Sequence, residues 1–86
     1  MFSLATQKNA FEGDTITLTC SDAGSHQIDW TTPRGTKPSE NSLTITNITR
    51  ADEGVYMCYY SEGMKIIELD SYYVHVLGKY MQVLSS

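Results

Sequence analysis

Apolar residues in this chain of 86 recur at every second position, and no segment shows the three-to-four-residue spacing of a helix. In DTITLTC, residues 14–20, Ile16, Leu18 and Cys20 alternate with Thr15, Thr17 and Thr19. One face is apolar and the other polar and β-branched, the pattern of an antiparallel strand with one wet side. QIDWT, residues 27–31, sets Ile28 and Trp30 on one face and Asp29 and Thr31 on the other. Leu43 and Ile45 share a face in SLTIT, as Tyr56 and Cys58 do in VYMCYY. In SYYVHVL, residues 71–77, Tyr72, Val74 and Val76 stand opposite Tyr73 and His75. Short strands in close succession predict an all-β fold, an antiparallel sandwich or small barrel.

The connections carry turn chemistry. EGD, SDAGS and NITRADEG are rich in residues that tolerate unusual backbone angles. TPRGTKPSENS holds Pro33, Gly35 and Pro38 and reads as irregular chain, or at most a short edge strand, because proline donates no ladder hydrogen bond. SEGMKIIELD reads as a polar hairpin connection with arms that can pair through KIIEL. The expected domain is 1–78, with 79–86 either extending the last strand or starting a linker.

A net charge of −4, with six scattered cations, excludes the basic stripe of a nucleic-acid surface. No run approaches the roughly 18 apolar residues of a membrane span. The opening MFSLATQKNAFEG lacks the apolar stretch of a secretion signal, so a longer native chain is expected, with any membrane anchor outside these residues. Cys20 and Cys58 are either a disulfide or two buried thiols; His26 and His75 do not complete zinc-ligand spacing with them. A bridge closing a loop of this size would stabilise the fold by about 4 kcal/mol and would imply an oxidising compartment.

Cys20, then Trp30, then Leu43-Thr44-Ile45, then Asp52-Gly54-Tyr56-Cys58 form an ordered set that resembles the immunoglobulin fold from about residue 12 to 77. The resemblance implies a two-sheet sandwich with the two cysteines bridged between sheets and Trp30 packed on the bridge. It implies that Tyr56 forms the tyrosine corner, with its hydroxyl returning to upstream backbone, and that Gly54 and Asp52 serve the turn before it. Only twelve residues separate Trp30 from Leu43, too few for full C′, C″ and D strands. A compact intermediate or constant-like type is therefore expected, with a shortened C′–D region that can lack a D strand. Arg34 is a weak candidate partner for Asp52. GVYMCYYSEG and SYYVHVLG also resemble, less closely, the membrane-distal domain of platelet-derived and vascular endothelial growth-factor receptor tyrosine kinases.

If strand parity holds, Asp29, Thr31, Met57, Tyr59, Tyr73 and His75 project from the solvent face of the C, F and G strands. Met and Tyr are enriched at interface cores, so this set is the candidate partner-binding face, beside the hairpin at residues 61–70. The competing explanation is ordinary cross-strand pairing of exposed tyrosines. Asn47-Ile48-Thr49 is a glycosylation sequon, and Asn47 is its candidate acceptor. Nothing in the order of residues sets a nucleophile beside a base and an orienting acid, and Glu68 and Asp70 offer too few oxygens for calcium. Neither catalysis, a cofactor nor a metal is expected. The expected role is an extracellular, cell-surface or secreted recognition module of a receptor or adhesion protein. Its partner would be a protein ligand or another domain of the same family, homophilic contact included. The alternative is a structural spacer in a multi-domain chain, including an intracellular muscle-type one.

Overall fold

The structure is a computed structural model and describes residues 5–21, 27–39 and 41–78. The SDAGS turn beyond Ser21, His26 and the segment 79–86 lie outside the described residues. The described residues form seven strands and one short 3-10 turn: β1 (Thr6–Phe11), β2 (Ile16–Thr19), β3 (Ile28–Thr32), β4 (Gly35–Ser39), β5 (Ser42–Ile45), the 3-10 turn (Arg50–Asp52), β6 (Gly54–Glu62) and β7 (Lys65–Leu77). They form a five-stranded sheet in the order β1-β7-β6-β3-β4 and a two-stranded sheet, β2-β5. All pairings are antiparallel except β1 with β7, which run parallel.

The alternation read from the sequence is what the sandwich buries. Leu18, Ile28, Trp30, Ile48, Cys58 and Val74 are fully buried, and Cys20, Leu43, Tyr56 and Val76 join them in one core. Each fully buried aliphatic side chain contributes about 1.5–3 kcal/mol of hydrophobic stabilisation. Cys20 on the β2 side and Cys58 on β6 are joined as a disulfide with Cα atoms 6.1 Å apart, so the sheets are tied covalently across the core. The Trp30 ring stacks on Tyr72 of β7, with centroids 6.2 Å apart. The Tyr72 hydroxyl crosses to the Thr19 carbonyl of the opposite sheet.

Three features refine the expected architecture. The residues after Trp30 do form an edge strand, β4, paired to β3 from Ile28–Ser39 to Thr32–Gly35, with Pro38 at an edge that needs no further donor. Among the described residues no D strand follows, and β5 is reached directly. In a constant-type sandwich the first strand lies on the sheet of β2 and β5. Here β1 lies on the other sheet, beside β7.

The region around the second cysteine is built as its residues imply. The Tyr56 hydroxyl donates to the Asp52 carbonyl at 2.5 Å. Gly54 between them has φ +144, and a Cβ there would sit 2.8 Å from Pro33 Cγ, so both backbone conformation and space require glycine. NITRADEG is more ordered than a plain turn. Thr49 caps the 3-10 turn, accepting from the Ala51 N–H, while the Asp52 carboxylate accepts from the Thr49 N–H at 2.8 Å. Arg34, in the β3–β4 turn, completes the cluster by donating from Nε to Asp52 Oδ1 at 2.6 Å. Burial alone would raise the Asp52 carboxyl, but the Thr49 N–H and Arg34 outweigh it and hold the group below the usual carboxylate range.

Candidate protein-binding interface

The six outward residues sit on one surface because β3, β6 and β7 are paired in a register that aligns them. Asp29 lies opposite Tyr59, Thr31 opposite Met57, Val55 opposite Tyr73, and Tyr73 opposite Gln7 of β1. His75 neighbours Asn9 at the far side. Asp29, Met57, Tyr59, Tyr73 and His75 are half-buried, whereas Thr31 and Val55 are exposed. The result is a flat face with Val55, Met57 and Tyr59 on β6 and Tyr73 on β7. Polar neighbours flank it: Asp29, Thr31, Gln7 and Asn9.

Parity alone would not carry this face past residue 59. The register shifts between Cys58 and Tyr59, so that Cys58 faces Asp70 while Tyr59 faces Glu68, leaving Leu69 as the extra residue of a β-bulge. Leu69 packs on the core, and Asp70 turns toward the disulfide, where its carboxylate accepts from the Ser21 N–H at 2.5 Å. Asp70 lies within 4.8 Å of both sulfurs. Because those sulfurs are bonded to each other, the trio is not a set of thiolate metal ligands. Beyond the bulge the hairpin arms pair fully, out to Glu62 and Lys65 around a turn at Gly63 and Met64. Met64 is fully exposed and Ile66 is 64% exposed, so the hairpin tip extends the apolar part of the face.

Glu53 is a participant that the sequence did not mark. It stands just before β6 and reaches over to β7. There its carboxylate accepts from the Val76 N–H at 3.0 Å and from the Tyr73 hydroxyl at 3.2 Å, and lies 3.4 Å from His75 Nδ1. The Val76 N–H, opposed in part by desolvation and reinforced by Tyr73 and His75, holds Glu53 below the usual carboxylate range. The hydrogen bond that the Tyr73 hydroxyl donates to Glu53, with the charge of that carboxylate, raises Tyr73 above its ordinary value. Tyr73 and His75 are therefore fixed in place within the domain, while among the described residues Met57 and Tyr59 have no such tether to a charged group. No local signal identifies Glu53, because its partners are 20 and more residues away.

Asn47 is exposed in the turn after β5, in the left-handed backbone region at φ 49 that asparagine tolerates. The sequon's Thr49 is the cap residue of the 3-10 turn.

The chain matches the family profile described as immunoglobulin domain over residues 2–61, well over half of its length. No curated protein sequence matches it. Among solved structures it is similar to a chain in the complex of Dpr2 Ig1-Ig2 with DIP-Theta Ig1-Ig3, at 25% identity and a TM-score of 0.67. That match covers 84% of this chain and 29% of the other, so this chain spans less than a third of that relative. The extracellular fragment of Novel Immune-Type Receptor 11 from Ictalurus punctatus matches at 16% identity and a TM-score of 0.67, covering 91% of this chain and 89% of the other. The ZIG-8 IG1 homodimer matches at 22% identity and a TM-score of 0.64, covering 86% and 80%. At those identities the last two speak to the fold alone. The bridged sheets, the buried tryptophan, the tyrosine corner and the matched profile agree: the chain belongs to the immunoglobulin domain family.

Proposed function

We propose that this domain is an extracellular recognition module that binds a protein partner through the outer face of β3, β6 and β7. The observation that carries this reading is the contiguous surface of Val55, Met57, Tyr59 and Tyr73, continued by Met64 and Ile66 at the hairpin tip. A patch rather than scattered apolar residues marks a contact surface, and Tyr and Met supply large contact area. The disulfide supports placement outside the cell, since cytosolic thiols are kept reduced. The relative in the Dpr2–DIP-Theta complex supports a second immunoglobulin domain, from the same or another protein, as the partner. No chemistry is assigned to the domain.

A spacer role is the second reading, and Glu53 favours it by engaging Tyr73 and His75 within the domain. Met57→Lys and Tyr59→Lys separate the two readings. The wild-type domain and each variant are screened against a panel of immunoglobulin-domain ectodomains and against themselves. A recognition module binds at least one bait, and each variant weakens that binding at least about tenfold with little change in melting temperature. Binding that survives both substitutions, or none in the wild type, supports the spacer instead.

A further inference from the structure

The two-stranded sheet is the weak point of this sandwich. Strand β5 pairs with β2, and among the described residues nothing pairs with its other side. The Cys20 N–H donates to the Asn41 carbonyl at 2.6 Å, continuing the register that pairs Leu18 with Leu43 and Ile16 with Ile45. In an antiparallel ladder, hydrogen-bonded and non-hydrogen-bonded pairs alternate. That phase turns the N–H and C=O groups of Thr44, paired with Thr17, to the open side. An open edge of this kind is a template for another chain, and soluble proteins cover or charge it.

The space beyond the edge is a cleft of 330 Å³ between β5 and β4, lined in part by Lys37, Thr44, Thr46 and Asn47. Arg34 also lines it, but its charge is already matched by Asp52. Asn47 is exposed at the lip of this cleft, two residues past the end of β5, and its side chain makes no hydrogen bond to the described residues. It heads the sequon Asn47-Ile48-Thr49.

We infer that a glycan on Asn47 covers the open edge of β5, occupying the place a D strand would take and keeping the edge from pairing with a second copy. The four residues of β5 span about 14 Å at 3.4 Å per residue, so a branched oligosaccharide rooted at one end has a short edge to cover. A glycan is hydroxyl-rich and meets the polar lip of the cleft, formed by Lys37, Thr44, Thr46 and Asn47, without burying a charge. The inference rests on the extracellular placement proposed above, not on the identity of the binding face.

The test uses the domain secreted from a glycosylating eukaryotic host, in three forms: untreated, treated with peptide N-glycosidase, and as Asn47→Gly. Glycine accepts the positive φ at this turn, and the enzyme leaves the fold made beforehand, so neither form depends on refolding. Intact mass reports occupancy, hydrogen exchange reports the Thr44 and Thr46 amides, and light scattering after size exclusion reports association. The expected result is an occupied Asn47, edge amides that exchange at least about tenfold faster in both glycan-free forms, and concentration-dependent association of both. An unmodified Asn47 overturns the inference. So does an occupied one whose removal changes neither exchange nor oligomeric state, or a disagreement between the two glycan-free forms. A glycan-protected domain that binds no bait through Met57 and Tyr59 removes the recognition reading and leaves this one standing.

Discussion

Replacing Tyr56 by phenylalanine removes one oxygen atom and tests the corner that sets the chain path into β6. The side chain is 2% exposed, and its hydroxyl is the donor to the Asp52 carbonyl at 2.5 Å. Without it the ring still fills its place, but a carbonyl beside a buried residue loses its partner. Leaving such an acceptor unsatisfied costs about 1–3 kcal/mol, and 2 kcal/mol is a central expectation. In a domain of this size that is a fall of about 8–16 °C in melting temperature. With a urea slope of about 1 kcal/mol/M, the unfolding midpoint falls by about 2 M. Trp30 is the single tryptophan and is fully buried, so its fluorescence follows the transition. Tyr59→Phe on the outer face serves as the control and shifts stability by less than about 0.5 kcal/mol.

The pH dependence of that difference is a second, independent signature. Burial, and then the charge of Asp52, push the Tyr56 hydroxyl up to about 12, against about 10 in an unfolded chain. A folded-state value above the unfolded one means that the stabilisation is complete below pH 10 and is lost as pH rises through about 12. The gap between wild type and Tyr56→Phe is therefore flat from pH 7 to about 9.5 and narrows above it. A variant within 0.5 kcal/mol of wild type at neutral pH, or a gap that does not narrow, refutes the assignment of the corner.

Two further outcomes follow from the same region. Removing the disulfide with Cys20→Ala and Cys58→Ala costs about 4 kcal/mol for a sequence separation of 38, read as a large loss of urea midpoint; a midpoint within 1 M of wild type contradicts the loop-entropy account. Asp52 is held below the usual carboxylate range, so its charge contributes stability above the unfolded value near 4 that is lost as pH falls through the folded one. Asp52→Asn is accordingly less stable than wild type at pH 7, and the gap closes as the Asp52 carboxyl takes up its proton in acid, as urea titrations at neutral and acid pH will report.

The period of two in the apolar residues was enough to determine which side of each strand is dry. Leu18, Ile28, Trp30, Leu43, Tyr56, Cys58, Val74 and Val76 are all buried, as alternation requires, and Asp29, Met57, Tyr59 and Tyr73 all share the opposite face of their sheet. The spacing of Asp52, Gly54, Tyr56 and Cys58 likewise marked a corner, because a buried hydroxyl and a glycine turn leave few other residues acceptable there. The 3-10 turn within NITRADEG was not marked in this way, and it emerged with the capping contacts of Thr49 and Asp52 in the folded chain. What the order of residues left open was adjacency. Ladder hydrogen bonds are made by main-chain groups common to every residue, so nothing in TQKNAF states that β1 joins β7 in parallel rather than lying beside β2. The bulge at Leu69, the reach of Glu53 to Tyr73 and His75, and the pairing of Arg34 with Asp52 across 18 residues have the same origin. Each depends on where packing sets one strand against another, and only the assembled sandwich brings those groups within reach.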